Sequence, residues 1–170
     1  MTPTEAKSVA DTLLNLWEFE SAATCKVLAA VKDDNRNYKP DEKSRSAWEL
    51  ATHLATADMW FLQSIIDGRF EWDQEGAKRA ESAFTNAAAV AAFYRREFDA
   101  RVQQLRAMPG EQLAADNSFF GMITWPNAQF IGFASNHSMH HRGQLAAYLR
   151  AMGSKVPAIY GGSADEPMAG

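Results

Sequence analysis

The stretch Asn136-His137-Ser138-Met139-His140-His141-Arg142-Gly143-Gln144 holds three of the four histidines of the chain. The prediction of the fold starts from the spacing of these histidines. His137 and His141 are four residues apart, and on an α-helix that spacing places two side chains on one face, about one turn apart. Neutral imidazoles so placed can share one metal ion. Aromatic residues recur at the same spacing on either side, which predicts that both histidines point into the core of a helical protein.

The fourth histidine, His53, lies in a separate apolar segment. The pattern Ser46-Ala47-Trp48-Glu49 matches a capping box, in which a hydroxyl and a carboxylate three residues later bond to each other's backbone amides. It predicts a helix from near Ser46 to Gly68, and His53 falls on the apolar stripe of that helix. Two interpretations stay open for His53: a core histidine bonded to a neighbour, or a third metal ligand beside the His137 and His141 pair.

Three other segments have helical periodicity and end signals. The predicted helices are Thr4 to about Val31, about Ser46 to Gly68, Asn86 to Met108, and Thr124 to Met152. Thr4 is the expected N-cap of the first helix, and Thr124 that of the last, with Pro126 in its first turn. The apolar stripe predicted for the first helix is Val9, Leu13, Leu16, Glu20, Ala23 and Val27. Its polar exception, Glu20, lies either at the edge of the stripe or inside the bundle near the metal.

The segments between these helices are long and polar. Arg69 to Thr85 is expected to be partly helical, and Glu111 to Ile123 to be a loop with a short extended piece around Phe119 to Ile123. The tail, Ser154 to Gly170, predicts an ordered coil with a loose end. These elements predict an all-α chain in which residues 1–170 form one four-helix bundle, with long crossover connections and a coil C-terminal tail.

Composition excludes several classes of function. The formal net charge is −4 and there is no basic run, so no nucleic-acid partner is expected. Cys25 is the only cysteine, which excludes an internal disulfide and a cysteine-type zinc site, and suits a reducing, cytoplasmic location. No signal-peptide pattern opens the chain, and no apolar run approaches the roughly 18 residues of a membrane span.

The remaining residues of the histidine stretch have less defined predicted roles. His140 lies about 100° off the line of the His137 and His141 pair. It is expected to contact a metal ligand or the substrate, or to lie on the surface. Arg142 is expected to point away from the metal and make a structural ion pair, and Gly143 to let a neighbouring helix approach. Gln144 either orients a ligand, contacts substrate, or makes a plain interior hydrogen bond.

Three imidazoles would leave at least one coordination position free. Three-ligand sites are typical of catalytic metals, whereas structural zinc sites usually have four protein ligands. Zinc or nickel suits the imidazoles and would also bind a soft thiolate from a low-molecular-weight thiol. The HExxH pattern of metalloproteases is absent, because no glutamate follows His137.

The sequence resembles a known family at both ends of this proposed site. The run His137 to Gln144, followed by Tyr148-Leu149-Arg150 and the Gly153 to Gly161 ending, resembles the C-terminal signature of the DinB-like (damage-inducible) superfamily. Trp48-Glu49-Leu50, His53-Leu54 and Trp60 resemble its second-helix signature. The resemblance implies a four-helix bundle, often a homodimer, with His53, His137 and His141 as metal ligands. Relatives in that superfamily include bacillithiol transferases and mycothiol-dependent maleylpyruvate isomerase.

Three hypotheses about function follow. The first is a metal-dependent enzyme that acts on a small-molecule substrate by activating a small thiol, as an S-transferase does, or water, as a hydrolase does. The second is a non-enzymatic, dimeric metal-binding or stress-response protein, which predicts a site sealed by aromatic side chains. The third is a helical domain with three buried histidines and no metal.

Overall fold

The computed structural model describes residues 1–168, so the end of the predicted loose tail, residues 169 and 170, lies outside the described residues. The elements are α1 (Pro3–Ala29), a 3-10 turn (Asp33–Asn35), α2 (Ala47–Asp67), α3 (Gln74–Ser82), α4 (Ala87–Ala107), α5 (Gly110–Ala114), β1 (Asp116–Phe119), β2 (Ile123–Pro126) and α6 (Asn127–Ala151). From residue 152 to residue 168 the chain is coil and turns, as predicted for the tail.

Local capping chemistry sets most helix ends. Ser46 and Glu49 form the predicted capping box of α2, and Gly68 ends that helix at φ +67°, a conformation that glycine adopts without a steric penalty. The predicted N-cap of α1, Thr4, was wrong, because Thr2 is the N-cap and forms a capping box with Glu5. Pro3 explains the shift: its ring suits the first helical position, so the hydroxyl just before it takes the cap.

The segment before α6 differs most from the prediction. In place of a loop it forms the short helix α5 and an antiparallel hairpin, in which Asn117 pairs with Trp125 and Ser118 with Thr124. The extended piece is therefore β1 and β2, and the predicted one around Phe119 to Ile123 is mostly the turn. Thr124 is not the N-cap of α6, because it lies in β2 and Pro126 precedes the first helical residue. Strand pairing between segments outweighed the local helix signal.

Helices α1, α2, α4 and α6 form the bundle, which confirms the predicted fold class. Helix α1 runs antiparallel to α4, with the ring of Trp17 edge-on to that of Phe98. Helix α2 runs antiparallel to α6, with Phe61 against Phe133. The connection between α2 and α4 contains α3, and the one between α4 and α6 contains α5 and the hairpin. Within residues 1–168, no helix is both long and apolar enough to cross a membrane.

Two predicted packing roles were wrong. Leu16 is 59% exposed, and the buried side of the N-terminal half of α1 carries Ala6, Ala10, Leu14 and Trp17. In the C-terminal half, Ala23 and Val27 of the predicted stripe are buried as expected. The stripe was displaced in the first half because α1 packs between α4 and α6, and its buried face follows both neighbours. Gly143 is exposed, and a Cβ atom added to it would meet no neighbouring atom within 4 Å, so it is not a site of close helix approach.

Candidate metal centre

The structure brings His53 of α2 together with His137 and His141 of α6. One ring nitrogen of each histidine lies within 4.8 Å of the corresponding nitrogens of the other two. The ring centroids are 4.4 Å apart for His137 and His141, 4.9 Å for His53 and His141, and 5.6 Å for His53 and His137. The three side chains are therefore close enough to hold one metal ion.

Each of the three rings has its Nδ1 atom turned toward an oxygen atom of the protein. Nδ1 of His141 donates to Oε1 of Gln144 at 2.8 Å. Nδ1 of His53 faces Oε1 of Glu81 in α3 at 3.7 Å, which is longer than a hydrogen bond. Nδ1 of His137 faces a carboxylate oxygen of the α2 residue Asp58 at 3.8 Å. Because metal-ligating histidines usually direct one nitrogen at such an acceptor, the arrangement favours Nε2 as the ligand atom.

Asp58 is the residue of the site that sequence analysis missed. Its side chain is fully buried, and Oδ2 accepts hydrogen bonds from the hydroxyl of Tyr94 at 2.9 Å and from that of Ser138 at 2.6 Å. The other oxygen, Oδ1, and Nδ1 of His137 are both buried without a hydrogen-bond partner. A signal was present in the sequence, because Asp58 is the only charged side chain in the apolar run from Leu50 to Ile66.

The surroundings keep two of the histidines neutral. Burial, reinforced by the positive charge of Arg45, lowers the pKa of His53 to about 3. Burial likewise lowers the pKa of His141 to about 4, against the opposing effect of its bond to Gln144. At neutral pH these rings are therefore uncharged, which is the form that binds metals. The donor set thus fits a divalent late transition metal. Nδ1 of His137 and Oδ1 of Asp58, which lack other partners, lie where the carboxylate would hold the imidazole of His137 as a metal ligand.

A cavity of about 430 Å³ opens beside the histidines. His53 and His137 form part of its lining. Its other lining residues are Ala57, Trp60, Phe61, Trp72, Phe119, Phe120 and Phe133. The space is of the size that small-molecule sites have, and its walls are almost entirely aromatic.

Other candidate residues lie around the three histidines or away from them. His140 is exposed and does not belong to the close group, although its ring centroid is 5.0 Å from that of His141. Gln144 is exposed and contacts His141 alone among the three. Burial raises the pKa of the Cys25 thiol, which disfavours the thiolate and a nucleophilic role.

Glu20 and Arg142 form the structural ion pair that was predicted for Arg142. Arg142 is 3% exposed, and its Nη1 lies 2.6 Å from Oε2 of Glu20. Its Nη2 donates to the hydroxyl of Tyr160 in the C-terminal tail at 2.6 Å. The Tyr160 hydroxyl in turn donates to Oε2 of Glu20 at 2.8 Å, so Glu20 contacts both Arg142 and the tail.

Comparison with known proteins shows the family and the fold of the chain. A family model described as the DinB family matches residues 3–168. The chain belongs to the DinB family. The family member is similar to the uncharacterized protein YrdA of Bacillus subtilis (strain 168), with 28% identity over 156 residues, which cover 92% of this chain and 90% of YrdA. It is also 30% identical over 123 residues to the uncharacterized protein YjoA of the same strain, covering 72% of this chain and 77% of YjoA.

Solved structures support the DinB fold. A DinB-like protein from Bacillus cereus ATCC 10987 superposes with a TM-score of 0.72 and 27% identity, over 88% of this chain and 97% of that one. The crystal structure of the DinB-like protein YjoA superposes with a TM-score of 0.67 over 87% of this chain and 96% of that one. At 23% identity, the second likeness shows the fold alone. Both the resemblance found in the sequence and the predicted bundle are confirmed.

Proposed function

We propose that this DinB-family protein is a metal-dependent enzyme that binds a divalent ion, zinc or nickel, through His53, His137 and His141. The observation that carries the proposal is the meeting of three ring nitrogens within 4.8 Å of one another at the edge of an open cavity. Three protein ligands leave a coordination position free, as catalytic metal sites do. The reaction proposed is attack of a small thiol, or of water, on an electrophilic substrate in the cavity.

The chain's own residues would hold and orient the ligands. Gln144 makes a hydrogen bond to His141, and carboxylate oxygens of Asp58 and Glu81 lie 3.8 Å and 3.7 Å from Nδ1 of His137 and His53, so each imidazole has an acceptor beside Nδ1 that favours a proton there. The hydroxyls of Tyr94 and Ser138 hold Asp58 in turn. An ion bound there would lower the pKa of a coordinated thiol or water and so supply a nucleophile near neutral pH.

The cavity favours an enzyme over the non-enzymatic alternative. A purely metal-binding protein was expected to have its site sealed by aromatic side chains, whereas here the aromatic residues surround an open space of about 430 Å³ next to His53 and His137. The apolar walls would exclude water from the reacting groups. Homodimerisation, a cytoplasmic location and the choice between thiol and water stay predictions.

The test starts with metal analysis of the purified protein beside His53→Ala, His137→Ala and His140→Ala. We expect the first two variants to lose bound metal, because each removes one of three ligands. His140→Ala is the matched control on the same helix and should keep it. Equal metal content in all four proteins would refute the proposal.

The second stage tests catalysis. Zinc-loaded and nickel-loaded protein would be assayed with a panel of small thiols against electrophilic acceptors, and with ester and amide substrates for water. Turnover that depends on both the metal and His53 supports an enzyme. Metal binding without turnover across the panel would favour the non-enzymatic alternative.

A further inference from the structure

Phe120 occupies a backbone conformation that a bulky residue rarely adopts. It has φ +52°, and Gly121 after it has φ +73°, in the tight turn that joins β1 to β2. The backbone N–H of Met122 donates to the carbonyl of Phe119 at 3.0 Å and closes the turn. Turns with two residues at positive φ favour Asn-Gly or Gly-Gly, so a phenylalanine at the first position is unfavourable for the turn itself.

Burial in the core does not explain this residue. The side chain of Phe120 is 48% exposed. Its ring lies parallel to that of Trp60, with 7° between the planes and 6.1 Å between centroids, and it is edge-on to Phe119. Strained residues that persist without a packing reason tend to occur at functional sites. Here the ring forms part of the wall of the cavity beside the histidines.

The chemistry of the cavity defines what can enter it. Apart from His53 and His137, its lining residues carry no acidic or basic side chain. An ionised group would lose its hydration there without gaining a partner, so the part of a ligand that enters must be uncharged. The ring of Trp60 is edge-on to that of Trp72 at 5.3 Å and parallel to that of Phe120 at 6.1 Å, so the three rings form one continuous aromatic wall. Aromatic groups contact such a wall in offset-stacked or edge-on arrangements. Trp72 is 49% exposed, so two of these three rings are accessible from solvent.

We infer that Trp60, Trp72 and Phe120 form an aromatic wall that binds an uncharged aromatic group of the substrate next to His53 and His137. The inference rests on the proposed function, because it names the substrate class of the same site. Phe120 is then a specificity-determining residue, and its unfavourable backbone conformation is retained because it places the ring against the ligand.

The experiment compares three probes of similar size by titration calorimetry: 2-naphthylmethanol, 2-naphthoate and the saturated decahydronaphthalene-2-methanol. On metal-free protein we expect 2-naphthylmethanol to bind at least about ten-fold more tightly than the other two, because it alone is both uncharged and aromatic. On that metal-free protein, a saturated probe that binds equally well would overturn the inference, and so would tighter binding of the anion or no binding of any probe.

The decisive variant is Phe120→Asn, which places the preferred residue type before Gly121. It should weaken binding of 2-naphthylmethanol about ten-fold or more while leaving the melting temperature equal or raising it by about 2 °C, since the turn strain is relieved. Met122→Ala is the matched control, because Met122 is 71% exposed in the same turn and does not line the cavity. Trp72→Ala supplies a second test of binding to the aromatic wall.

Unchanged affinity in both Phe120→Asn and Trp72→Ala would overturn the inference. A Phe120→Asn protein that melts several degrees lower would also do so, since Phe120 would then serve the fold. Binding is measured on metal-free protein as well as on zinc-loaded protein. Binding of the probe to the aromatic wall can therefore fail while metal binding succeeds. Metal binding can likewise fail while the probe still binds.

Discussion

Helix α6 contributes to two polar clusters of opposite character, and each contains one buried charged side chain, Arg142 or Asp58. The arginine cluster, made of Arg142, Glu20 and Tyr160, joins α6 to α1 and to the C-terminal tail. Both terminal nitrogens of Arg142 have partners, since Nη1 reaches the carbonyl and the carboxylate of Glu20, and Nη2 reaches the hydroxyl of Tyr160. That hydroxyl in turn donates to Glu20 at 2.8 Å. The cluster is closed within the protein.

The histidine cluster, made of His53, His137, His141 and Asp58, joins α6 to α2 and is not closed. Oδ1 of Asp58 and Nδ1 of His137 are buried without hydrogen-bond partners, and a cavity lies next to two of the rings. Buried polar groups that lack partners are costly, so this pair of atoms calls for an explanation. We expect from the difference that the arginine cluster serves stability, and the proposed function assigns ligand binding to the histidine cluster.

The largest expected effect breaks the arginine cluster. Arg142→Met should lower the free energy of unfolding by about 3 kcal/mol, because it removes one partner of a buried ion pair and leaves the Glu20 carboxylate with less compensation. The measurement is urea denaturation of the metal-free protein. Metal content should stay at the wild-type value, since Arg142 is not one of the three proposed metal ligands.

The control for this prediction is Arg96→Met. Arg96 pairs with Glu97 on the surface with its side chain 69% exposed, so its loss should change stability by less than about 0.5 kcal/mol. If Arg142→Met removed the metal while barely changing stability, the assignment of the two clusters would be reversed.

The next effect concerns Asp58 and sharpens the comparison from the other side. Asp58→Asn should weaken zinc or nickel binding about 10- to 100-fold, because the negative charge that lies 3.8 Å from Nδ1 of His137 no longer favours the tautomer with its proton on Nδ1 and Nε2 free for the metal. Titration with the metal measures the affinity. Nitrogen-15 chemical shifts of the His137 ring in metal-free protein report the tautomer directly.

Asp67→Asn, at the exposed end of the same helix, is the matched control and should leave both readouts unchanged. A loss of stability in Asp58→Asn with unaltered metal affinity and an unaltered His137 tautomer would show that Asp58 serves only packing.

The last expected effect is on acid stability. The pKa values of His53 and His141 fall from 6.5 in the unfolded chain to about 3 and about 4 in the fold. Between those limits the unfolded state binds more protons, so the free energy of unfolding of metal-free protein decreases as the pH falls below about 6.5. Each histidine contributes at most about 1.4 kcal/mol per pH unit.

The measurement is the difference in pH slope between wild type and the double variant His53→Gln, His141→Gln, from denaturant unfolding at pH 4 to 7. Taking the difference matters because burial raises the pKa of Asp58, which acts in the opposite direction. The double variant should show a flatter profile. Parallel slopes in wild type and the double variant would contradict the prediction.

Local patterns in the sequence predicted the parts of the fold that depend on a single helix. The capping box at Ser46, the stop at Gly68 and the spacing of His137 and His141 all act within a few residues, so they are visible in the sequence alone. The hairpin was missed because its stability comes from pairing between β1 and β2, which neither strand signals by itself. The buried face of the N-terminal half of α1 was misplaced for the same reason, since α4 and α6 define it.

The candidate site divides in the same way. The sequence by itself determined a helical bundle of the DinB family, with His53 on one apolar stripe and His137 and His141 on another. Only the tertiary structure decided that Asp58 faces His137 and that the strained turn at Phe120 forms a wall of the cavity. Helical periodicity gives the direction of a side chain around its own axis, whereas the meeting of side chains from different elements depends on how those elements pack.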